Sequence, residues 1–225
     1  LSREDTPRDP SGQYDFESLE ALDRDRLNND LIELLDTGRC ELPVFDFKAG
    51  KRRANTKTLE LSPRGIVLIE GIHGLNPRLT EDVEQDEIYR IYISALTQLN
   101  IDDHNRIPTT DVRLIRRLVR DHQFRGYSAK QTIDRWPSVR RGENNNIFPY
   151  EAFADVAFNS SLDYELPVLK GLAEPLLRTI KPYDTHYNEG VRLLRFLSNF
   201  IVIPSKMVPA DSILREFIGD SSFEY

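Results

Sequence analysis

Three short β-rich runs, each followed by a stretch of different periodicity, constrain this chain more than any other feature. Ile66-Val67-Leu68-Ile69 is continuous and apolar, the pattern of a strand buried on both faces, and Glu70-Gly71 ends it abruptly. Ile88-Tyr89-Arg90-Ile91-Tyr92-Ile93 is a second run, and Ala154-Asp155-Val156-Ala157-Phe158 a third. Between the second and third, Leu114, Ile115, Leu118 and Val119 recur at helical spacing and mark one face of a helix. Strands separated by helices predict parallel pairing through crossover helices, an α/β layer fold.

The flanking segments fit that class. Leu27, Leu31, Leu34 and Leu35 predict a helix from roughly Glu20 to Thr37, stopped by Gly38. Glu41 to Phe47 reads as extended, with Pro43 barred from a central hydrogen-bonded position, and Lys48 to Arg53 reads as a basic turn. Two further helical stretches fall near Asp163–Ile180, interrupted by Pro167 and Pro175, and near Glu189–Phe200. Residues 1–203 are expected to form one domain, with residues 204–225 as a C-terminal extension. Cys40 is the only cysteine, which excludes an intramolecular disulfide and a multi-cysteine zinc site. No apolar run approaches the roughly 20 residues of a membrane span, and the expectation is a cytoplasmic protein.

Charge matters for its distribution. The net charge is −7, which argues against a general affinity for nucleic acid or anionic membranes. Yet His104 to Arg141 holds ten Lys/Arg against three acids, a local +7 that leaves −14 for the rest. Arg113, Arg116, Arg117 and Arg120 lie at i, i+3, i+4 and i+7, on one face opposite the apolar stripe, and Arg125-Gly126 follows the helix end. Arginine forks donate paired hydrogen bonds to phosphate, so this face reads either as a solvated surface or as a polyanion site.

Two further candidates accompany it. Glu70, at the carboxyl end of a buried strand, stands where ligands of α/β sheets sit and can hold Mg²⁺ or cap the following turn. Phe45 and Phe47 alternate beside Lys51, Arg52 and Arg53, a platform for a flat ring or ordinary core packing. His73 lies three residues after Glu70; His104, His122 and His186 have no metal-ligand spacing. No Gly-x-x-x-x-Gly-Lys-Ser/Thr stretch occurs in the chain.

In order and spacing, Glu41-Leu-Pro-Val-Phe-Asp-Phe47, Ile69-Glu-Gly-Ile-His73, Arg113-Leu-Ile-Arg-Arg-Leu-Val-Arg-Asp121 with Arg125-Gly126, and Ala154-Asp-Val156 resemble the uridine kinase/phosphoribulokinase family. The tract Ile93 to Thr110 resembles a bacterial branch whose kinase domain follows domains shared with threonyl-tRNA synthetase. The resemblance implies a P-loop kinase fold that moves the γ-phosphoryl of ATP, with Mg²⁺, to a hydroxyl of a nucleoside or similar substrate. It implies catalytic roles for Glu70, which assists Mg²⁺, and for Arg117, Arg120 and Arg125 in a lid spanning about 111–141. Glu17 would contact the sugar, Phe45 and Phe47 would line the base pocket, and Arg52 and Arg117 would complete the substrate side. Arg120 and Asp155 would face ATP.

Gly50, Tyr127 and Arg135 depart from the family pattern on the base side, so uridine is not singled out as the substrate. The family's phosphate loop and catalytic Asp are expected ahead of Leu1, which would make these residues a partial P-loop domain, inactive alone and prone to association through unpaired inner strand edges. A non-catalytic phosphate- or RNA-binding module built on the arginine helix, with Tyr127 and Trp136 stacking on bases, is the rival reading.

Overall fold

The computed structural model describes residues 1–9, 12–46 and 49–223, and the chain divides into two compact units. One comprises Leu1–Tyr92 and Arg141–Val156; the other comprises Ile93–Arg140 and Ala157–Tyr225.

The first unit is built on α1 (Arg24–Thr37) and a hairpin of β1 (Arg39–Asp46) and β2 (Lys51–Glu60). Asp23 caps α1 by accepting from the Arg26 amide at 3.1 Å, and Gly38 ends it in the left-handed conformation (φ 75°) that glycine adopts without strain. Asn28, buried on α1, donates to the Leu79 carbonyl and accepts from the Asp82 amide, so the helix clamps the loop beyond it. β1 and β2 pair antiparallel, Arg39 opposite Glu60, with an irregularity between Pro43 and Phe45 that spares the ladder an absent amide donor. β1 is therefore half of a local hairpin, and the expected basic turn is largely the start of β2. Cys40 is buried on β1 opposite Leu59, and burial followed by Asp30 and Glu33 pushes its thiol pKa up.

The expected strand at 66–69 does not form. The segment is irregular, with Ile66 and Leu68 exposed by 90% and 86%. A strand exists only through a neighbour's hydrogen bonds, and no described strand runs beside this one.

β3 (Ile91–Ser94) and β4 (Val156–Asn159) form the second sheet. The Val156 amide donates to the Arg90 carbonyl and the Ser160 amide to that of Ser94, both partners advancing together, so the pair is parallel as predicted. The crossover consists of α2 (Thr109–Arg125) and α3 (Ala129–Asn146). α2 is the axis of the second unit: Val112, Leu114, Ile115, Leu118 and Val119 are buried in a core shared with α4 (Glu165–Leu177) and α6 (Arg215–Ile218), and α5 (Tyr187–Leu197) packs on α4. α4 runs through both prolines that were expected to interrupt it. Pro167 falls in the first turn, where the helix needs no amide donor, and Pro175 near the end removes one hydrogen bond. The result is a mixed α/β protein with one parallel strand pair and flanking helices. No helix among the described residues is long and apolar enough to cross a membrane.

Candidate anion site

The carboxyl ends of β3 and β4 open onto a cleft of about 180 Å³ in the second unit, with Ser94 and Ser160 on its floor and Trp136 and Phe217 on its walls. Ligands of parallel sheets collect at this end of the strands. α2 lines one side with Arg113, Arg116, Arg117 and Arg120.

These arginines are not a solvated face. Arg116 is 7% exposed and makes a buried ion pair with Glu165 on α4, Nε to Oε2 at 2.5 Å, while its Nη2 donates to the Ser160 carbonyl at 2.7 Å. It is committed to joining α2 to α4. Arg117, Arg120 and Arg125 instead gather on one carboxylate, Asp121, which has no exposed surface. Arg125 Nη1 lies 3.1 Å from Oδ1, Arg117 Nε 3.3 Å from Oδ2, and Arg120 Nε 3.9 Å from Oδ1. Thr132 adds a hydroxyl donor at 3.4 Å.

One negative charge thus faces three positive ones. Burial, then the neighbouring Arg125 and Arg117, push the Arg120 guanidinium pKa down, while Asp121 and Glu216 oppose the shift. Arg120 Nε is buried and donates no hydrogen bond among the described residues. Like charges at this helical spacing oppose helix formation unless counter-charges are supplied, and Asp121 and Glu165 supply them. Two positions departing from the family pattern pair with each other, since Arg135 donates to the Tyr127 hydroxyl at 2.9 Å and lies 4.4 Å from its ring centre.

The remaining expected site residues lie in the first unit. Glu70 is exposed and follows an irregular segment rather than a strand. Glu17 is exposed, and its carboxylate lies against Gly142, where an added Cβ would stand 2.4 Å from Oε2. Phe45 is half-buried on β1 opposite Arg52 on β2, and Arg52 binds the capping carboxylate of Asp23 at 2.5 Å. Asp155 accepts from the Arg90 amide at 2.6 Å, a tie between strand starts. Phe47 lies outside the described residues. His73 is 6% exposed; burial lowers its pKa, a hydrogen bond to the Glu17 backbone and the nearby Asp15 charge oppose this, and its Nδ1 has no partner among the described residues.

Sequence reasoning missed Asp121 as the hub, although its place four residues after Arg117 and four before Arg125 was a readable signal. It also missed Glu216 and Phe217, which line the cleft from the C-terminal segment. Nothing local marks them.

The fold and cleft define an α/β protein that concentrates arginines at the carboxyl ends of parallel strands. A family model described as the phosphoribulokinase/uridine kinase family matches residues 1–166, and the chain belongs to that family. Among curated relatives, a uridine kinase of Clostridium botulinum (strain Okra / Type B1) is 30% identical over 143 residues, covering 63% of this chain and 60% of the relative. One of Lactobacillus johnsonii is 28% identical over 172 residues, covering 75% and 73%. One of Bacillus pumilus is 29% identical over 137 residues, covering 60% and 57%. The chain thus spans between 57% and 73% of the length of these relatives.

Proposed function

We propose that this chain is part of a P-loop kinase transferring the γ-phosphoryl of ATP to a hydroxyl of a nucleoside or related small substrate, in the cytoplasm. The observation that carries this is the convergence of Arg117, Arg120 and Arg125 on the single carboxylate of Asp121 beside the cleft. Phosphoryl transfer asks a protein mainly for positioning and charge neutralisation, and fixed guanidinium groups supply both. At about 180 Å³ the cleft is smaller than the roughly 300–1,000 Å³ of whole-ligand pockets. It suits the charged part of a nucleotide. Asp121 holds the arginines in place so that little reorganisation accompanies binding.

In this reading Glu17 contacts the sugar, Phe45, Phe47, Arg52 and Arg117 serve the substrate, and Arg120 and Asp155 serve ATP. Mg²⁺, when bound, neutralises charge between phosphates, and Glu70 is the carboxylate that would hold it. A single exposed carboxylate fits an ion that takes most of its ligands from phosphate and water. The described residues contain no group of three or more candidate ligands that would cage a metal on their own.

Trp136 is the only tryptophan and lines the cleft, so its fluorescence reports occupancy. ATP should change that signal saturably, and Arg120→Ala should weaken binding about tenfold or more, the worth of a charge-assisted hydrogen bond. An unchanged affinity in the variant would sink the proposal, and a steep loss with salt over several phosphates would favour the nucleic-acid reading. With no Gly-x-x-x-x-Gly-Lys-Ser/Thr stretch, these 225 residues alone are expected to bind ATP without turning it over across a nucleoside panel.

A further inference from the structure

The family match ends at residue 166, yet the arginine cleft is completed by residues far beyond it. Residues 204–223 dock on the core of the second unit. Arg215 is buried, and its guanidinium donates to the carbonyls of Ser205, Val208, Pro209 and Gly219. Leu214 and Ile218 enter the core, and the Tyr164 hydroxyl meets that of Ser212 at 2.8 Å. With the backbone pinned on both sides, the two residues between Arg215 and Ile218 are presented to the cleft. The Phe217 ring stands 5.0 Å from the Arg116 guanidinium carbon, and Glu216 Oε1 lies 3.9 Å from Arg120 Nη1.

The Glu216–Arg120 contact has the properties of a replaceable occupant. It is longer than a hydrogen bond and involves one oxygen. Glu216 is 53% exposed while Arg120 is 27% exposed, so the acid can swing into solvent and the arginine cannot follow.

We propose that Glu216 is a built-in counter-anion of this cleft, which a phosphate-bearing ligand must displace, so that the C-terminal segment tunes anion affinity. This rests on the reading of the cleft as a polyphosphate site. A half-exposed ion pair is weak, so displacement costs any ligand a small and fixed amount. A docked acid of this kind holds the arginines apart from weakly bound solvent anions without locking out a polyphosphate.

The test uses the 225-residue chain, Trp136 fluorescence and inorganic tripolyphosphate and orthophosphate at constant ionic strength. Glu216→Gln should bind both anions about two- to fivefold more tightly than wild type, the range set by an exposed pair. The gain should be equal for the two anions, because the same contact is broken each time. Asp211→Asn, which changes net charge equally outside the cleft, should leave both affinities unchanged. Equal affinities of Glu216→Gln and wild type, a gain matched by Asp211→Asn, or a gain growing with ligand charge would each overturn the proposal. If wild type binds neither anion, the polyphosphate reading falls with it. If wild type binds, Arg120→Ala weakens binding and Glu216→Gln has no effect, only the counter-anion role falls.

Discussion

Replacing Glu165 by Ala would remove one partner of the ion pair joining α2 to α4. Glu165 is 2% exposed and accepts from Arg116 Nε and from the Leu162 amide at 3.1 Å. Without it, Arg116 keeps, among the described residues, the Ser160 carbonyl at 2.7 Å and the Ser160 hydroxyl at 3.3 Å as acceptors, and a buried guanidinium charge loses its counter-charge. Breaking a buried pair in this way costs about 3–5 kcal/mol. Loss of a carboxylate from the first turn of α4 adds about 0.3–1 kcal/mol through the helix dipole. For a chain of this size about 1 kcal/mol moves the melting temperature by about 2–4 °C, so the two losses together predict a fall of about 7–24 °C. Urea unfolding followed through Trp136, which packs partly buried against the same core, gives the free energy directly. The double variant Arg116→Met/Glu165→Leu should recover most of the loss, because two apolar chains of similar size carry no unpaired charge. A loss below about 1 kcal/mol for the single variant, or a double variant less stable than Glu165→Ala, would show that the pair is not the joint described here.

Three other perturbations have defined outcomes. Arg192 binds Asp111 through both Nη atoms at 2.7 and 2.8 Å and also holds Glu189, so Arg192→Lys, which cannot bridge both, should lower the melting temperature by about 2–4 °C in a thermal scan. His73 titrates below its ordinary 6.5 because burial disfavours the imidazolium. The unfolded chain therefore binds the proton first on acidification, and stability should fall as pH drops below about 6.5; urea midpoints at pH 7.5 and 5.5 should differ less in His73→Gln, and equal differences would refute the assignment. Gly142→Ala adds a methyl group where the Glu17 carboxylate lies, so nucleoside affinity measured calorimetrically should fall while helix propensity maintains stability; unchanged affinity would remove Glu17 from the substrate side.

What could be read from the residues depended on how local the cause was. Gly38 ends α1 and the apolar stripe of α2 is buried, because both effects arise within one or two turns. The run Ile66 to Ile69 has strand composition, but no described neighbour supplies its hydrogen bonds, and pattern alone cannot reveal that. β2 shows the converse. Lys51 to Glu60 has no apolar alternation, and its strand character comes from pairing, with Thr56 and Thr58 donating to the Glu41 carboxylate. At the cleft the positive charges were visible as a cluster on one helix. Their counter-charges Glu165 and Glu216 come from distant parts of the chain, so Arg116, joined to α4, and Arg120, gathered on Asp121 at the cleft, looked alike.

The solitary thiol of Cys40 sits beneath the hairpin, 1% exposed, with its ionisation suppressed. With the sulfur buried, a sulfhydryl reagent reaches it through openings of the structure around β1, so the labelling rate is a clock for those openings. Because no other cysteine competes, the labelling kinetics report this one position alone.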